Sequence, residues 1–297
     1  MKIKTGLTTG VGSMPDTDKK EAIKKILDTF SIPYWPQLPY LSYNEGMYIQ
    51  YSDNMPAACI DTVKEKLYFD SNRVMEDVEK VYMKYMEEDI DYFKVNEDKA
   101  QGLFEFLATA PKSEYVKGQI IGPISFGLTV TDENDKAVLY NEMLFDGILK
   151  TLEMKIKWQI RELKKISDNV IIYLDEPYLA SFGSAYVSIQ EEDVLKYLNA
   201  TADVIINEGA VPGVHCCGNS DFALLTKTRI QIHNFDSYGF GQSIVLYPDE
   251  MNSFFNRDGV IAWGIVPTSD KIMAETAESI KSILDKIISE MDAKGIK

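Results

Sequence analysis

The run Val170-Ile-Ile-Tyr-Leu-Asp175, followed directly by Glu176-Pro-Tyr178, decides the expected fold of this chain. Five consecutive apolar residues rich in β-branched side chains are typical of a strand that is buried on both faces, as strands are in parallel sheets. Two carboxyl groups directly after such a strand lie where α/β proteins commonly bind ligands. We therefore expect further units of a strand and a helix on both sides of this run.

Short apolar runs alternate with long amphipathic runs along the 297 residues. The apolar periodicity predicts strands over residues 5–12, 34–38, 119–125, 170–175, 211–216, 230–235 and 260–266. It predicts helices over residues 18–30, 74–89, 136–166, 191–207 and 276–294, and an irregular insertion around 40–73 with a hairpin at 61–70. This alternation favours a single (β/α)8 TIM-barrel domain spanning residues 1–297, with functional residues at the carboxyl ends of the strands.

The composition excludes several classes of protein. Hydrophobic residues make up 45% of the chain, which is enough for a substantial core. The net charge of −15 argues against a surface for nucleic acid or for an anionic membrane, because phosphate groups are bound by clustered lysines and arginines. We find no apolar run typical of a signal peptide or a membrane span, and three cysteines do not make a disulfide framework. A reducing cytoplasm is therefore the expected location.

One predicted strand end concentrates the rarest side chains. Val214-His-Cys-Cys217 holds one of the two histidines and two of the three cysteines. Because side chains alternate along a strand, we expect His215 and Cys217 to share one face and Cys216 to lie on the other. An imidazole and a thiolate on one side form half of a zinc site. The alternative is a pair of buried cysteines beside a hydrogen-bonded histidine.

Other strand ends are also polar. Asp236 ends the next predicted strand and is a candidate third zinc ligand. His233 should face the opposite way from Asp236 and either be structural or contact a ligand residue from outside the site. The loop Thr8-Thr-Gly-Val-Gly-Ser-Met-Pro15 offers backbone N–H groups to a small anion, with a tight turn as the alternative. Asp175 and Glu176 are candidates for holding a substrate amine or serving as general base, and the alternative is that Asp175 only caps the next helix.

Four motifs follow one another in a fixed order. They are Thr8-Thr-Gly-Val-Gly-Ser-Met-Pro15, Lys117-Gly-Gln-Ile-Ile-Gly-Pro-Ile-Ser125, Leu174-Asp-Glu-Pro-Tyr178 and Val214-His-Cys-Cys217. In type and order they resemble the catalytic domain of cobalamin-independent methionine synthase, over nearly the whole chain. The wider superfamily also includes uroporphyrinogen decarboxylase and methyltransferases that work with corrinoid proteins.

The resemblance implies a zinc-dependent methyltransferase that acts on a small-molecule thiol, with homocysteine the family's acceptor, in methionine biosynthesis. By position, zinc would be held by His215 and Cys217, with Asp236 where the family has a glutamate ligand. A free thiol has a pKa of roughly 8.5, and zinc favours its nucleophilic anion. His215, Cys217 and Asp175 are thus the expected catalytic residues.

The acceptor's other groups are assigned through the same resemblance. Asp175, with Glu176 beside it, would hold the ammonium group. Ser13, with Gly12 and the neighbouring backbone N–H groups, would hold the carboxylate. Glu45, in Tyr43-Asn-Glu-Gly46, matches a second amine-binding acid of the family only loosely.

Two departures from the family alter the expected chemistry. No cysteine follows Cys217, where the family has its last zinc ligand. Either zinc has fewer protein ligands here, or Cys216, Asp236 or water takes that place, or zinc does not bind. In the family, a histidine acts as general acid and protonates the folate leaving group. Thr268 takes its place here, which leaves no such proton donor. A cobalt(I) corrinoid leaves without protonation, so we expect a methylcorrinoid (methylcobalamin) as donor and co-substrate. Such relatives often take it from a corrinoid protein, which is the expected partner.

Two other hypotheses are kept open. A decarboxylase of the uroporphyrinogen type would need an arginine-rich cleft, and none of the four arginines lies at a predicted strand end with a glycine-rich turn. A metal-free, degenerate binding protein of the same fold agrees with the missing final cysteine. The zinc content of the purified protein would separate this second hypothesis from the methyltransferase.

Overall fold

The computed structural model describes residues 2–184, 187–219 and 221–297, which form a mixed α/β protein around a parallel sheet. The strands are β1 (Ala58–Asp61), β2 (Lys66–Phe69), β3 (Val116–Ile121), β4 (Thr131–Asp132), β5 (Val170–Asp175), β6 (Val211–Cys216), β7 (Ile232–Phe235) and β8 (Val260–Trp263). The helices are α1 (Lys19–Thr29), α2 (Val74–Met86), α3 (Gln101–Thr109), α4 (Pro123–Thr129), α5 (Glu142–Leu163), α6 (Glu191–Asn207), α7 (Phe222–Thr226), α8 (Ser237–Phe240), α9 (Pro248–Asn256) and α10 (Ala277–Ala293). Among these helices, none is both long enough and apolar enough to cross a membrane.

The central sheet has five parallel strands in the order β3-β5-β6-β7-β8. Its register pairs Asp175 with His215 and His215 with Asn234. Parallel strands all end at the same edge, so these three residues occupy neighbouring positions at the carboxyl edge of the sheet. The sheet thereby brings together residues that are far apart in the sequence.

The two predicted N-terminal strands are not strands in the structure. Two isolated parallel bridges occur instead: Ser13, just after the first segment, pairs with Gln37 of the second, and Tyr34 of the second pairs with Lys117 of β3. Glycines interrupt the first segment, and the prolines at 33 and 36 lack the N–H group that a ladder needs. These segments nevertheless continue the parallel order beyond β3.

The two faces of the central sheet pack against different partners. On β3, a Cβ added to Gly118 would lie 2.0 Å from Gln159 Oε1, so α5 packs directly on the strand backbone. Ile171 and Tyr173 of β5 belong to a separate apolar cluster with Val211 and Ile232. We call the side of the sheet that carries this cluster the inner face. Side chains alternate along a strand, so residues 117, 119, 175, 215 and 234 also lie on the inner face.

The predicted helices and later strands are confirmed with small changes in their bounds. The predicted hairpin is also present, as the antiparallel pair β1 and β2. The strand predicted over 119–125 was placed too late, because Pro123 begins α4, where its missing N–H costs nothing. The long helix begins only at residue 142, after its N-cap Asn141. Helices α3, α4, α7, α8 and α9 were not predicted.

Candidate functional site

Three inner-face side chains lie in a row at the carboxyl edge of the sheet: Asp175, His215 and Asn234. His215 Nδ1 is 2.5 Å from Asn234 Oδ1, and Asn234 Nδ2 donates to the carbonyl oxygen of Ala262 over 2.7 Å. Since the asparagine amide is oriented by Ala262, its oxygen faces the ring and accepts the Nδ1 proton. The lone pair of His215 therefore resides on Nε2, which is free to bind a metal or a proton.

Burial favours the neutral form of this histidine. It lowers the pKa of His215 to about 4, and the charge of Lys117 lowers it further, while the hydrogen bond that the ring donates to Asn234 acts in the opposite direction. At neutral pH the ring is therefore an uncharged ligand or hydrogen-bond acceptor. This electronic state suits metal coordination better than general acid catalysis.

Asp175 is a buried acid at this edge of the sheet, and one of its carboxylate oxygens accepts no hydrogen bond from the described residues. Its side chain is 4% exposed, and Oδ1 has no hydrogen-bond partner among the described residues. Burial raises the pKa of Asp175 to about 7, and the charge of Glu176 contributes, whereas Lys117 opposes the shift. A buried oxygen without a partner is costly, so a ligand that donates an N–H or O–H group would restore the lost hydrogen bond.

Lys117 is a buried amine that the motif contained but to which sequence analysis gave no role. Its Nζ donates to the carbonyl oxygen of Val11 over 2.7 Å and to Gln119 Oε1 over 3.0 Å. It also lies over the ring faces of Tyr34 and Tyr173, at 5.3 and 4.7 Å from the centroids. Burial lowers its pKa to about 7. The available signal in the sequence was a lysine two residues before the strand predicted over 119–125.

The glycine-rich loop meets this lysine through Val11. Gly12 is buried with a φ of +153°, and an added Cβ would lie 2.8 Å from the side chain of Gln119. Ser13 is exposed and forms the bridge to Gln37. The loop therefore approaches the inner face closely only because Gly12 lacks a side chain.

Glu176 is engaged with the backbone of α4. Its carboxylate accepts hydrogen bonds from the N–H groups of Ile124, at 3.0 Å, and Ser125, at 2.7 Å. An added Cβ on Gly122 would lie 2.2 Å from the carboxyl carbon, so the glycine of the second motif makes room for this contact. Burial raises the pKa of Glu176 to about 7. These bonds favour a structural role over substrate binding for Glu176.

Glu45 is engaged in a similar way. It is 1% exposed and accepts a hydrogen bond of 2.6 Å from the N–H of Gln101, at the start of α3. Gln50 Nε2 approaches its other oxygen at 3.4 Å. Burial raises the pKa of Glu45 to about 7. The contacts favour a structural role, as an anchor of the irregular segment on α3.

The three residues expected to hold zinc fit that role only in part. His215 has a free Nε2, and Cys217 is exposed while Cys216 is fully buried. Asp236 caps α8 instead, with Oδ1 accepting from the N–H of Gly239 at 2.9 Å. Throughout residues 2–184, 187–219 and 221–297, no group of three or more His, Cys, Asp or Glu side chains is placed to hold a metal ion. Of the expected ligands, His215 and Cys217 stay candidates.

His233 pairs with Val214 and so lies on the opposite face of the sheet from His215. Its ring is 4.8 Å from that of Phe222 and 5.5 Å from that of Phe235, and its Nε2 has no partner among the described residues. Burial lowers the pKa of His233 to about 3. It is a core residue that belongs to no ligand site.

No known family model and no curated protein matches this chain. The likeness to methionine synthase therefore rests on the four sequence motifs.

Proposed function

We propose that the parallel sheet is the larger part of a (β/α)8 barrel. Two observations support this: the bridges of Ser13 and Tyr34 continue the parallel order beyond β3, and the inner face carries its own apolar cluster. Residues Ile3 and Leu7 pack against this cluster together with Val260 of β8, so both ends of the strand order contribute to it. In such a barrel the carboxyl edge is where active sites form. The cytoplasmic location stays a prediction.

We propose that the chain is a methyltransferase that moves a methyl group from a methylcorrinoid to a thiol such as homocysteine. One observation carries this proposal: the unpartnered Oδ1 of Asp175 lies on the strand next to His215, whose Nε2 is free. An acid without a partner beside an uncharged imidazole suits a ligand that has both an ammonium group and a sulfur atom. Homocysteine has these groups on one short chain.

Each residue then has a defined task. Asp175 Oδ1 accepts a hydrogen bond from the acceptor's ammonium group, and the backbone N–H groups near Gly12 and Ser13 bind its carboxylate. Lys117 stabilises the ionised form of Asp175 and fixes the loop through Val11. Asn234 orients His215, so the imidazole presents Nε2 to the ligand.

Zinc enters the proposal only through His215 and Cys217, which would hold it. When bound, it would lower the pKa of the acceptor thiol and so supply the thiolate at neutral pH. Asp236 is not needed for this, since it caps α8. Positions not filled by protein would be open to water and to the substrate.

The proposed methyl donor depends on whether its leaving group must be protonated. In methyl transfer from a methylcorrinoid, the carbon–cobalt bond breaks with its electron pair left on cobalt, and the carbon–sulfur bond forms. The thiol would have released its proton to solvent on binding, so the cobalt(I) leaving group would need no general acid. Thr268, which is exposed, stands where a folate-dependent enzyme would need one.

The test is an assay of methionine formation from homocysteine and methylcobalamin, with Asp175→Asn and His215→Gln as site variants. We expect each to reduce the rate at least about 100-fold, because each removes a group that touches the acceptor or its metal. Zinc content is measured on Cys217→Ser, with Cys216→Ser as the matched control. Loss of zinc in Cys217→Ser alone supports the half-site, and equal zinc in both variants overturns it.

The absence of a three-residue metal cluster in the described ranges favours one second candidate, a binding protein of the same fold. Calorimetry and the methionine assay together decide between them. A binding protein would bind homocysteine in the calorimeter and form no methionine in the assay. The uroporphyrinogen decarboxylase hypothesis gains no support, since the four arginines lie outside the carboxyl ends of the strands.

A further inference from the structure

A second cavity, of about 350 Å³, lies between the segment 52–60 and α2 and shares no lining residue with the candidate site. Charged side chains line it: the cations of Arg73, Lys80 and Lys99, and the carboxylates of Asp53 and Asp77. Cations outnumber carboxylates here, although the whole chain has a net charge of −15. This local excess of positive charge would attract a small anion.

An ion pair forms the floor of the cavity, and one carboxylate oxygen of this pair accepts no hydrogen bond within the described residues. The Lys99 side chain is 8% exposed, and its Nζ donates to Ser52 Oγ over 2.9 Å and to Asp53 Oδ1 over 2.5 Å. Asp53 Oδ2 is buried and has no hydrogen-bond partner among the described residues. A ligand hydroxyl that donates to Oδ2 would remove the cost of this unpaired acceptor.

The rim supplies an available cation. Lys80 is exposed on α2, forms no ion pair within the described residues, and has its Nζ 5.6 Å from the ring centroid of Tyr92. Arg73 is already paired with Asp77, at 2.7 Å. Lys80 is thus the side chain best able to bind an incoming anionic group.

The wall of the cavity carries backbone strain. Asn54 and Ala57 have φ values of 57° and 61°, in the left-handed region that non-glycine residues avoid. Asn54 Nδ2 donates to the carbonyl oxygen of Tyr92 over 2.5 Å, and the N–H of Ala57 donates to Asp77 Oδ2 over 2.9 Å. Strain of this kind persists where contacts enforce it, and it clusters at binding sites.

We propose that this cavity binds a small ligand in which an oxyanion, phosphate or carboxylate, is joined to a hydroxyl-bearing carbon chain. The oxyanion pairs with Lys80 at the rim, and a hydroxyl donates to Asp53 Oδ2 at the floor. A three-carbon chain with its oxyanion suits a cavity of this size, which is at the small end of known ligand sites.

The test is calorimetric titration of the full chain with glycerol 3-phosphate, glycerate, inorganic phosphate and glycerol. We expect a probe with both groups to bind more tightly than phosphate or glycerol alone, and the first two probes to show which oxyanion is preferred. Lys80→Gln should weaken that binding about tenfold or more, since it removes a charge-assisted contact. Lys84→Gln is the matched control, because Lys84 lies one turn further on α2, is paired with Glu87 and Asp89, and does not line the cavity.

A second variant tests the floor. In Asp53→Asn, whose folding is checked by thermal melting, the affinity for glycerol 3-phosphate should fall to that for inorganic phosphate, because the acceptor of the hydroxyl is altered. The proposal is overturned if no probe binds at millimolar concentration, or if Lys80→Gln and Lys84→Gln bind like the unchanged chain. These results are independent of methyl transfer at the other site.

Discussion

His215 Nδ1 and Asn234 Oδ1 lie 2.5 Å apart across two neighbouring strands, and this contact decides which nitrogen of the ring is free. The asparagine cannot turn its amide nitrogen to the ring without losing its bond to the Ala262 carbonyl oxygen. The tautomer of His215 is therefore set by the backbone of β8, two strands away.

Replacing Asn234 by alanine should allow the proton of the neutral His215 ring to occupy either nitrogen. We expect the ¹H–¹⁵N spectrum of the two histidines to show His215 protonated at Nδ1 in the unchanged chain and as a tautomer mixture in Asn234→Ala. Loss of an orienting partner typically costs about 10- to 100-fold in metal affinity or activity, and methyl transfer should fall by that amount. Asn134→Ala, in an exposed turn, is the control and should change neither. An unchanged His215 signal in Asn234→Ala would refute the prediction.

Replacing Lys117 by methionine should move the pH dependence of activity. Asp175, with its pKa raised to about 7, is ionised as pH rises through that value, so activity that needs the carboxylate should increase over the same range. The lysine charge lowers this pKa, and its removal raises it further. The acidic limb of the rate profile in Lys117→Met should therefore shift to higher pH. Gln119→Glu adds a negative charge on the same face and should shift the acidic limb in the same direction. If the limb stays at the same pH in both variants, its assignment to Asp175 is contradicted.

Gly122 tests the packing of Glu176 on α4. An added Cβ would lie 2.2 Å from the Glu176 carboxyl carbon, so Gly122→Ala must displace a buried acid from two backbone N–H groups. We expect the free energy of unfolding in urea to fall by about 1–3 kcal/mol. In Gly46→Ala the nearest atom to the new Cβ is 3.2 Å away, and the loss should be smaller. Equal losses would show that Glu176 is not held as described.

His233 should make the protein sensitive to acid. Its folded-state pKa is lowered to about 3, so between about pH 6.5 and 3 the unfolded chain binds a proton that the folded chain does not. Stability therefore falls as pH decreases through this window, by at most about 1.4 kcal/mol per pH unit for this group. His233→Leu removes the effect, and its stability relative to the unchanged chain should increase as pH falls.

The expected effect is a difference in stability between His233→Leu and the unchanged chain. Asp175 and Glu176 have raised pKa values and act in the opposite direction, because the folded state then binds their protons more readily. Their contribution is common to both chains and cancels in the difference. Urea unfolding at pH 7 and pH 5 provides the measurement, and a pH-independent difference would disprove it.

Elements with a strong local pattern were predicted closely. The strands β5 and β6 and the helix α6 have the predicted bounds, because apolar periodicity and turn residues are properties of neighbouring residues. The error at β3 has a local cause too, since Pro123 fits a helix start better than a strand. The segment 34–38 failed as a strand because Pro36 within it and Pro33 just before it lack backbone N–H groups.

The sequence by itself determined the α/β character and put Asp175 and His215 at strand ends, because both follow from local patterns. Only the tertiary structure decided their partners. The register sets Asn234 beside His215, Lys117 reaches Val11 across more than a hundred residues, and Glu45 and Glu176 turn to helix starts. A side chain's hydrogen bonds depend on which distant backbone groups need a partner, and that need arises only once the elements have packed.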